Sequence, residues 1–175
     1  MPIVLAVLSA AVAGGCGETE PPGKAEPRAT RTVAGPGFTI AVDVEREVAR
    51  TPRSLTVLPA EEGSPELESV TIFRLVKPYR PALWAAAAKE LDSVADRLAE
   101  SLDGELAAEP RTVRRGGLRG RLYEIDYARE GVDLRQRLTL LLSRRTEYQL
   151  LCRWDASLDT PGACKRLEAS FKRSS

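Results

Sequence analysis

Apolar and polar residues alternate along six short segments of the chain, which is the pattern of half-buried β-strands. Three of these segments come before residue 80: GFTIAVDV at 37–44, SLTVL at 54–58 and SVTIFRLVK at 69–77. Three more follow residue 117, and their sequences are LRGRLYEIDYAR, VDLRQRLTLLLS and EYQLLCRWD. Because short turns at 130–131 and 143–146 join these last three, they predict an antiparallel meander.

Two further segments place apolar residues three and four positions apart, as an amphipathic helix does. The first covers residues 80–104, with Pro81 where a first helical turn tolerates it and Gly104 where helices commonly stop. The second follows Thr160 and Pro161, which are predicted as its N-cap and first helical residue. The first helix has an apolar side of Trp84, Ala87, Leu91, Val94, Leu98 and Leu102, and a polar side of Glu90, Asp92, Asp96, Arg97 and Glu100.

The resulting order of elements, β-β-β-α-β-β-β-α, predicts an α+β domain. We expect an antiparallel β-sheet of about six strands, with one long helix and a C-terminal helix packed on it. Residues 37–175 supply this globular domain, and their number is typical of a single domain.

The first 15 residues are almost all apolar or small. The uncharged run at 3–13 has the length of a signal-peptide core and falls short of the roughly 20 residues that span a bilayer. It ends in Ala13-Gly14-Gly15 directly before Cys16, which resembles the lipobox of bacterial lipoproteins. The resemblance implies that residues 1–15 are a lipoprotein signal peptide and that Cys16 carries the lipid, although the family usually has Leu at position 13 and a basic residue before the run. A plain secretory leader and a buried N-terminal strand are the alternatives.

Residues 16–36 are rich in Pro and Gly and contain one large aliphatic side chain, Val33. A segment of this composition cannot bury enough apolar surface to offset the entropy lost on ordering. We therefore predict that residues 16–36 are a disordered tether that begins at the lipidated Cys16. Fully extended, such a segment would reach on the order of 70 Å.

The composition excludes several kinds of catalytic site. The chain contains no histidine, which removes Ser-His and Cys-His dyads and the commonest metal ligand. It has no P-loop, nucleophile elbow or dinucleotide-binding motif, and its net charge of +1 does not indicate a nucleic-acid partner. We expect no catalytic residue, no metal site and no cofactor.

Glu124 and Asp126 alternate to one face of a predicted strand and are the remaining candidates for an enzyme. As a pair of carboxylates they could support hydrolysis. Alternatively, they are exposed carboxylates that face arginines on a neighbouring strand.

Arginine is concentrated in the second half of the chain. Residues 111–153 contain eleven Arg and five Asp or Glu, whereas residues 80–105 contain three basic and six acidic residues. A sheet face that presents Arg119, Arg121, Arg135 and Arg137 could bind anionic lipid headgroups or a cell-wall polymer. The alternative is that the basic sheet and the acidic helix offset each other within one surface.

Cys152 and Cys164 are the two cysteines of the predicted domain. Exported proteins fold under oxidising conditions, and the separation of the two residues allows a disulfide. Two buried free thiols are the alternative. A zinc site would need further ligands, and no imidazole is present to supply them.

Taken together, these features resemble the small PsbP-like lipoproteins of actinobacteria and related bacteria. The resemblance rests on the lipobox, the polar linker, the strand GFTIAVDV, the glycine-rich entry RRGGLRGRLYEIDY and the ending CKRLEASF. It implies an α/β/α sandwich and an extracytoplasmic accessory or binding role, with no site residues to carry over. We expect a non-enzymatic monomer, lipid-anchored at the extracytoplasmic face of the cell membrane, that binds an envelope protein or ligand and no nucleic acid.

Overall fold

Residues 28–174 form eleven β-strands and two α-helices, and the strands lie in two antiparallel sheets. The computed structural model describes these residues, so the predicted signal peptide, Cys16 and most of the predicted tether lie outside the described residues. The strands are β1 (Thr30–Gly35), β2 (Phe38–Asp43), β3 (Val48–Arg50), β4 (Ser54–Val57), β5 (Leu67–Arg74), β6 (Glu105–Leu106), β7 (Arg111–Arg115), β8 (Leu118–Arg129), β9 (Val132–Leu142), β10 (Thr146–Asp155) and β11 (Lys172–Arg173). The helices are α1 (Trp84–Ser101), which follows a 3-10 turn at Pro81–Leu83, and α2 (Gly162–Ser170).

The larger sheet has eight strands, and the predicted meander forms its middle. β8, β9 and β10 are neighbours, β5, β4 and β3 follow on the far side of β10, and β6 and β7 pair with the outer edge of β8. Glu130 and Gly131, with φ of 53° and 79°, make the tight turn between β8 and β9. In the turn between β9 and β10, the Ser143 amide donates to the Thr146 carbonyl at 2.8 Å. The antiparallel meander and the α+β fold are confirmed.

The prediction of about six strands is wrong, because the two sheets contain eight and three strands. Besides β1, the additional strands are β3, β6, β7 and β11, which have only two to five residues each. Segments of two or three residues have no room for a period of two, and β7, RTVRR, has a single apolar residue and so shows no alternation. They become strands because a neighbouring strand offers them a free edge. The pairing, and not the local pattern, decides their conformation.

The predicted limit of the tether at residue 36 is also wrong, because β1 lies inside that segment. β1 pairs with β2 from Thr30↔Asp43 to Gly35↔Phe38, and Val33 is 3% exposed. Gly37, with φ of 77°, allows the turn between the two strands. Pro and Gly at 35–37 therefore form a hairpin turn, which composition alone does not distinguish from a disordered linker. The smaller sheet is completed by β11, which pairs with β2.

α1 covers part of one face of the larger sheet. Its buried residues Leu91, Ala95 and Ala99 pack on Tyr123 and Ile125 of β8 and on the facing leucines of β9. The predicted amphipathic helix is confirmed, with α-helical limits at 84 and 101. No helix among residues 28–174 has the length and apolarity that crossing a membrane requires.

α2 and the smaller sheet cover the opposite face. Phe38, Tyr148 and Phe171 pack there with ring centroids 5.4–6.4 Å apart. The predicted disulfide between Cys152 and Cys164 is present, with a Cα–Cα distance of 5.7 Å, and it joins β10 to the first turn of α2. The N-cap of α2 is Pro161, one residue later than predicted.

Candidate binding site

The two candidate catalytic carboxylates lie opposite arginines of the neighbouring strand. Register pairs Glu124 with Arg137 and Asp126 with Arg135 across β8 and β9. Arg135 donates from Nε and Nη2 to the two oxygens of Asp126, at 2.6 Å each. This hydrogen bond to Asp126 is the main reason that the pKa of Arg135 is raised. The structure thus has the arrangement in which both carboxylates face arginines on a neighbouring strand.

Arg137 is the centre of a half-buried ion network between the sheet and α2. Its Nε and Nη2 donate to Oε1 of Glu124 at 3.0 and 2.5 Å, and its Nη1 lies 3.7 Å from Glu168 of α2. Nη2 also donates to the hydroxyl of Thr160 at 3.1 Å. Glu168 accepts a second hydrogen bond, at 2.9 Å, from Arg115 of β7. Because Glu168 of α2 is shared between Arg115 of β7 and Arg137 of β9, the network holds α2 on the sheet.

A second group of paired side chains lies on the α1 face. Arg121 donates to both oxygens of Asp92 at 2.9 and 3.1 Å, and the hydroxyl of Tyr123 donates to the same carboxylate at 2.8 Å. Burial raises the pKa of Tyr123, and the hydrogen bond to Asp92 raises it further. Burial would lower the pKa of Arg121, but its hydrogen bonds to Asp92 and Tyr123 raise that pKa overall. Asp92 is therefore part of the helix–sheet contact, although its position on α1 predicts a place on the polar side.

The four arginines of the predicted anion-binding face are divided between the two sides of the sheet. Arg119 and Arg121 lie on the α1 side, where the guanidinium of Arg119 is 4.1 Å from the ring centroid of Trp84. Arg135 and Arg137 lie on the α2 side and are paired with carboxylates. No single ligand surface therefore presents all four guanidinium groups.

An apolar groove beside α1 is the feature that the sequence analysis missed. It lies between the first turns of α1 and the loop that leads from β5 into the helix, and its volume is about 470 Å³. Lys77, Arg80, Glu90 and Glu147 contribute the charged groups at its edge. Its apolar lining includes Leu75, Val76, Tyr79, Leu83, Leu91 and Leu142.

The loop that forms one wall of the groove is held by the β9–β10 turn. The amide of Leu75 donates to the carbonyl of Arg145 at 3.0 Å, and the amide of Tyr79 donates to that of Arg144 at 2.9 Å. Residues 75–77 were predicted as the end of a strand and residues 80–83 as the start of the long helix, whereas β5 ends at Arg74 and α1 begins at Trp84, so the loop between them was not predicted. The signal for it was the pair Pro78 and Pro81, because proline interrupts both strands and helices.

The turns at one end of the larger sheet are strongly basic. Strand register brings together the end of β5, the β7–β8 turn and the β9–β10 turn. β11 lies beside them, because Phe171 packs against Gly116 and the amide of Ser174 donates to the carbonyl of Gly37. We call segments 74–80, 114–119, 143–147 and 172–174 the basic end. Its single carboxylate is Glu147, and its ten cations are Arg74, Lys77, Arg80, Arg114, Arg115, Arg119, Arg144, Arg145, Lys172 and Arg173.

The opposite end of the same sheet is acidic. It consists of the loop before β5, the residues that follow α1, the β8–β9 turn and the loop after β10, and its members meet through contacts such as the Ala156 amide donating to the Asp133 carbonyl at 2.9 Å. We call segments 61–66, 103–105, 129–133 and 155–159 the acidic end. Its single cation is Arg129, and its nine carboxylates are Glu61, Glu62, Glu66, Asp103, Glu105, Glu130, Asp133, Asp155 and Asp159.

Comparison with known proteins finds solved structures of similar fold but no matching family. No protein-family model matches the chain, and no curated protein matches its sequence. Among solved structures, LpqN of Mycobacterium tuberculosis, which is involved in cell envelope biogenesis, is similar with a TM-score of 0.55 and 13% identity, over 84% of this chain and 91% of LpqN. A Bacteroides thetaiotaomicron VPI-5482 protein is similar with a TM-score of 0.55 and 10% identity, over 82% of this chain. The chain spans 48% of that protein's length, and at these identities the likeness concerns the fold alone.

Proposed function

We propose that the protein is a lipid-anchored accessory protein on the extracytoplasmic face of a bacterial membrane, and that its domain acts by binding and not by catalysis. The sequence around Cys16 and its resemblance to PsbP-like lipoproteins support the anchor. The disulfide fits an exported protein, since such bonds persist in oxidising compartments. The similarity in fold to LpqN, which is involved in cell envelope biogenesis, is compatible with a role in the envelope.

The groove beside α1 is the observation that carries the binding function. Its volume and its apolar lining with a few charged groups at the edge are typical of sites that bind a small molecule or a short segment of a partner. We propose that an envelope protein or ligand binds there to a monomer, without nucleic acid, metal or cofactor.

The state of the carboxylates supports binding over hydrolysis. A general acid or base must reach a substrate with a free oxygen. Glu124 and Asp126 are instead engaged by Arg137 and Arg135, and neither lines the groove. The ion pairs of these two carboxylates hold β8 to β9 and help to hold α2 on the sheet.

Complementation of a deletion strain tests this function with a matched pair of variants. Ala86 lines the groove and is exposed, so Ala86→Trp should fill the groove without disturbing the core and should abolish complementation. Ala85→Trp, on the neighbouring exposed position outside the groove, should complement like the wild type. Glu124→Gln and Asp126→Asn should also complement. The opposite result would be an active Ala86→Trp variant together with a folded, well-expressed Glu124→Gln or Asp126→Asn variant that fails to complement. That result would contradict the binding function and favour hydrolysis.

The anchor is tested by fractionation. Cys16→Ala should move the protein from the membrane fraction to the soluble exported fraction and prevent lipid labelling. A variant that stays with the membrane, together with a wild type that takes up no lipid, would exclude the anchor.

A further inference from the structure

Exposed apolar side chains lie in the basic end and directly beside it. Val76 is 99% exposed, Leu83 56% and Phe73 43%, and all three belong to β5 or to the loop between β5 and α1. The β9–β10 turn lies directly beside them, because Phe73 and Arg74 pair with Glu147 and Thr146 in register. Isolated exposed apolar residues need no explanation, but an apolar loop ringed by cations indicates an interaction surface.

Most cations of the basic end have no partner in the protein. Within residues 28–174, only Arg115 forms an ion pair, with Glu168, and Arg119 is placed over Trp84. The side chains of Arg144 and Arg145 in the turn, of Arg74 at the end of β5, and of Lys77 and Arg80 in the loop make no salt bridge or hydrogen bond in the described part of the chain. These five positive charges are therefore available to an external anion.

The chemistry of this surface selects its partner. A hydrophilic polyanion would satisfy the cations but would leave Val76 and Leu83 in water. The surface of an anionic bilayer satisfies both, because apolar side chains enter the boundary between headgroups and acyl chains while cations meet the phosphates. The acidic end would be repelled by the same surface, so the charge separation also gives the domain one preferred orientation.

We infer that the basic end binds the surface of an anionic phospholipid bilayer, with Val76 and Leu83 entering the headgroup boundary and Arg144 and Arg145 facing the phosphates. This inference rests on the proposed envelope location, which places the domain within reach of such a surface. It adds a membrane contact to the loop between β5 and α1, whose Val76 and Leu83 also line the groove.

The length of chain before β1 is compatible with this contact. The amide of Val44 donates to the carbonyl of Ala29 at 3.0 Å, and the side chain of Arg31 donates to the carbonyl of Arg46. The guanidinium of Arg46 lies 3.8 Å from Glu66 of the acidic end, so the chain enters the domain on that side. β8, with twelve residues, spans roughly 40 Å of the domain. The thirteen residues between Cys16 and Thr30 can extend to roughly 45 Å. The same membrane can therefore hold a lipid at Cys16 and contact the basic end.

Vesicle cosedimentation of the exported chain carrying Cys16→Ala tests the inference without a lipid anchor. Phosphatidylcholine vesicles that contain phosphatidylglycerol should bind the protein, with an affinity that falls as salt is added, and pure phosphatidylcholine vesicles should not. Arg144→Gln combined with Arg145→Gln should weaken binding about thirty-fold, since each charge near an anionic surface contributes about a factor of five. Arg97→Gln combined with Arg129→Gln removes two exposed charges elsewhere and should change binding by less than about two-fold.

The apolar contribution has its own matched pair. Val76→Ser should weaken binding about four-fold, as expected for partial transfer of a valine side chain, whereas Leu158→Ser, which changes an exposed residue in the loop after β10, should not. Three results would each overturn the inference. They are equal binding to neutral and anionic vesicles, equal loss of binding in both arginine double variants, and binding to a soluble polyanion but not to vesicles. One result would overturn the bilayer contact alone: the Cys16→Ala form binds no vesicle. The proposed function would still stand if the wild type fractionates with the membrane and Ala86→Trp abolishes complementation.

Discussion

The two faces of the larger sheet are covered to different degrees. On the α2 face, the helix, the smaller sheet, the disulfide and the Arg137 network close the surface, and Trp154, Phe38 and Phe171 are at most 1% exposed. On the other face, α1 packs on β8 and β6, and strands β4, β5 and β10 present half-exposed residues such as Thr56, Thr71 and Gln149. The α2 face is therefore closed by packing and bonding, while the α1 face leaves surface for binding. We call them the closed face and the open face.

The largest effect is expected for a side chain at the centre of the closed face. Phe171 is 1% exposed and stacks on Phe38, so Phe171→Ala should lower the free energy of unfolding by about 3–5 kcal/mol. Phe73→Ala is the matched control, because Phe73 is 43% exposed and its removal should cost less than about 1 kcal/mol. Urea denaturation of the two variants measures the difference. Equal destabilisation would mean that Phe171 is not part of a packed core on the closed face.

The disulfide should contribute the next largest effect. Reduction should lower the free energy of unfolding by about 3 kcal/mol, because the bond constrains a short loop of the unfolded chain. Intact-mass analysis with an alkylating agent should find no free thiol at Cys152 or Cys164 before reduction. The reduced domain should remain folded, since the aromatic cluster does not depend on the bond. Native alkylation of both thiols would refute the bridge.

A buried leucine at the open face should matter less than Phe171. Leu91 of α1 is 4% exposed but lies against the groove, so the cavity left by Leu91→Ala is open to solvent on one side. We expect a loss of about 2–3 kcal/mol, at the lower end of the range for leucine truncation. Thermal or urea unfolding would measure it. A loss as large as that of Phe171→Ala would mean that the two faces are equally closed.

The periodic parts of this fold were predictable from sequence, and the parts set by pairing were not. One face of β10 and one face of α1 are buried, and burial of one face produces a periodic pattern in the local sequence. This pattern is the alternation around Tyr148 and Leu150 and the helical spacing around Leu91. β1 depends on β2, and the short strands depend on free edges, so their own residues do not identify them. The same holds for the candidate site. The pairing of Asp126 with Arg135 was one of two predicted alternatives, because both residues lie on periodic strands. The groove was not, because one of its walls is the loop between β5 and α1, whose residues had been assigned to the neighbouring strand and helix.

The ion pairs of the closed face should contribute according to their exposure. Glu124→Gln should lower the free energy of unfolding by about 1–2 kcal/mol, because Glu124 is 16% exposed and its replacement leaves Arg137 with Glu168 as its remaining carboxylate partner. Asp126→Asn should cost less than about 1 kcal/mol, since Asp126 is 33% exposed and water can replace its hydrogen bonds. Comparison of the two denaturation curves tests the order. A larger cost for Asp126→Asn would show that strand pairing, and not burial, governs these bonds.

The smallest effect is expected to depend on pH and concerns Glu68 on the closed face of β5. Burial raises the pKa of Glu68 above its ordinary value of 4.5, although Arg46, 3.5 Å away, opposes the shift. Because the folded state holds the proton more tightly than the unfolded state, the resulting stabilisation is complete below pH 4.5 and is lost as the pH rises through the raised pKa. Glu68→Gln removes this titration, so the stability of the wild type relative to the variant should fall as the pH rises from below 4.5 through the raised pKa. Glu61→Gln, in the exposed loop before β5, controls for the loss of one carboxylate. Urea denaturation across this range measures both differences, and a wild type that gains stability relative to Glu68→Gln as the pH rises would mean that Arg46 outweighs burial at this site.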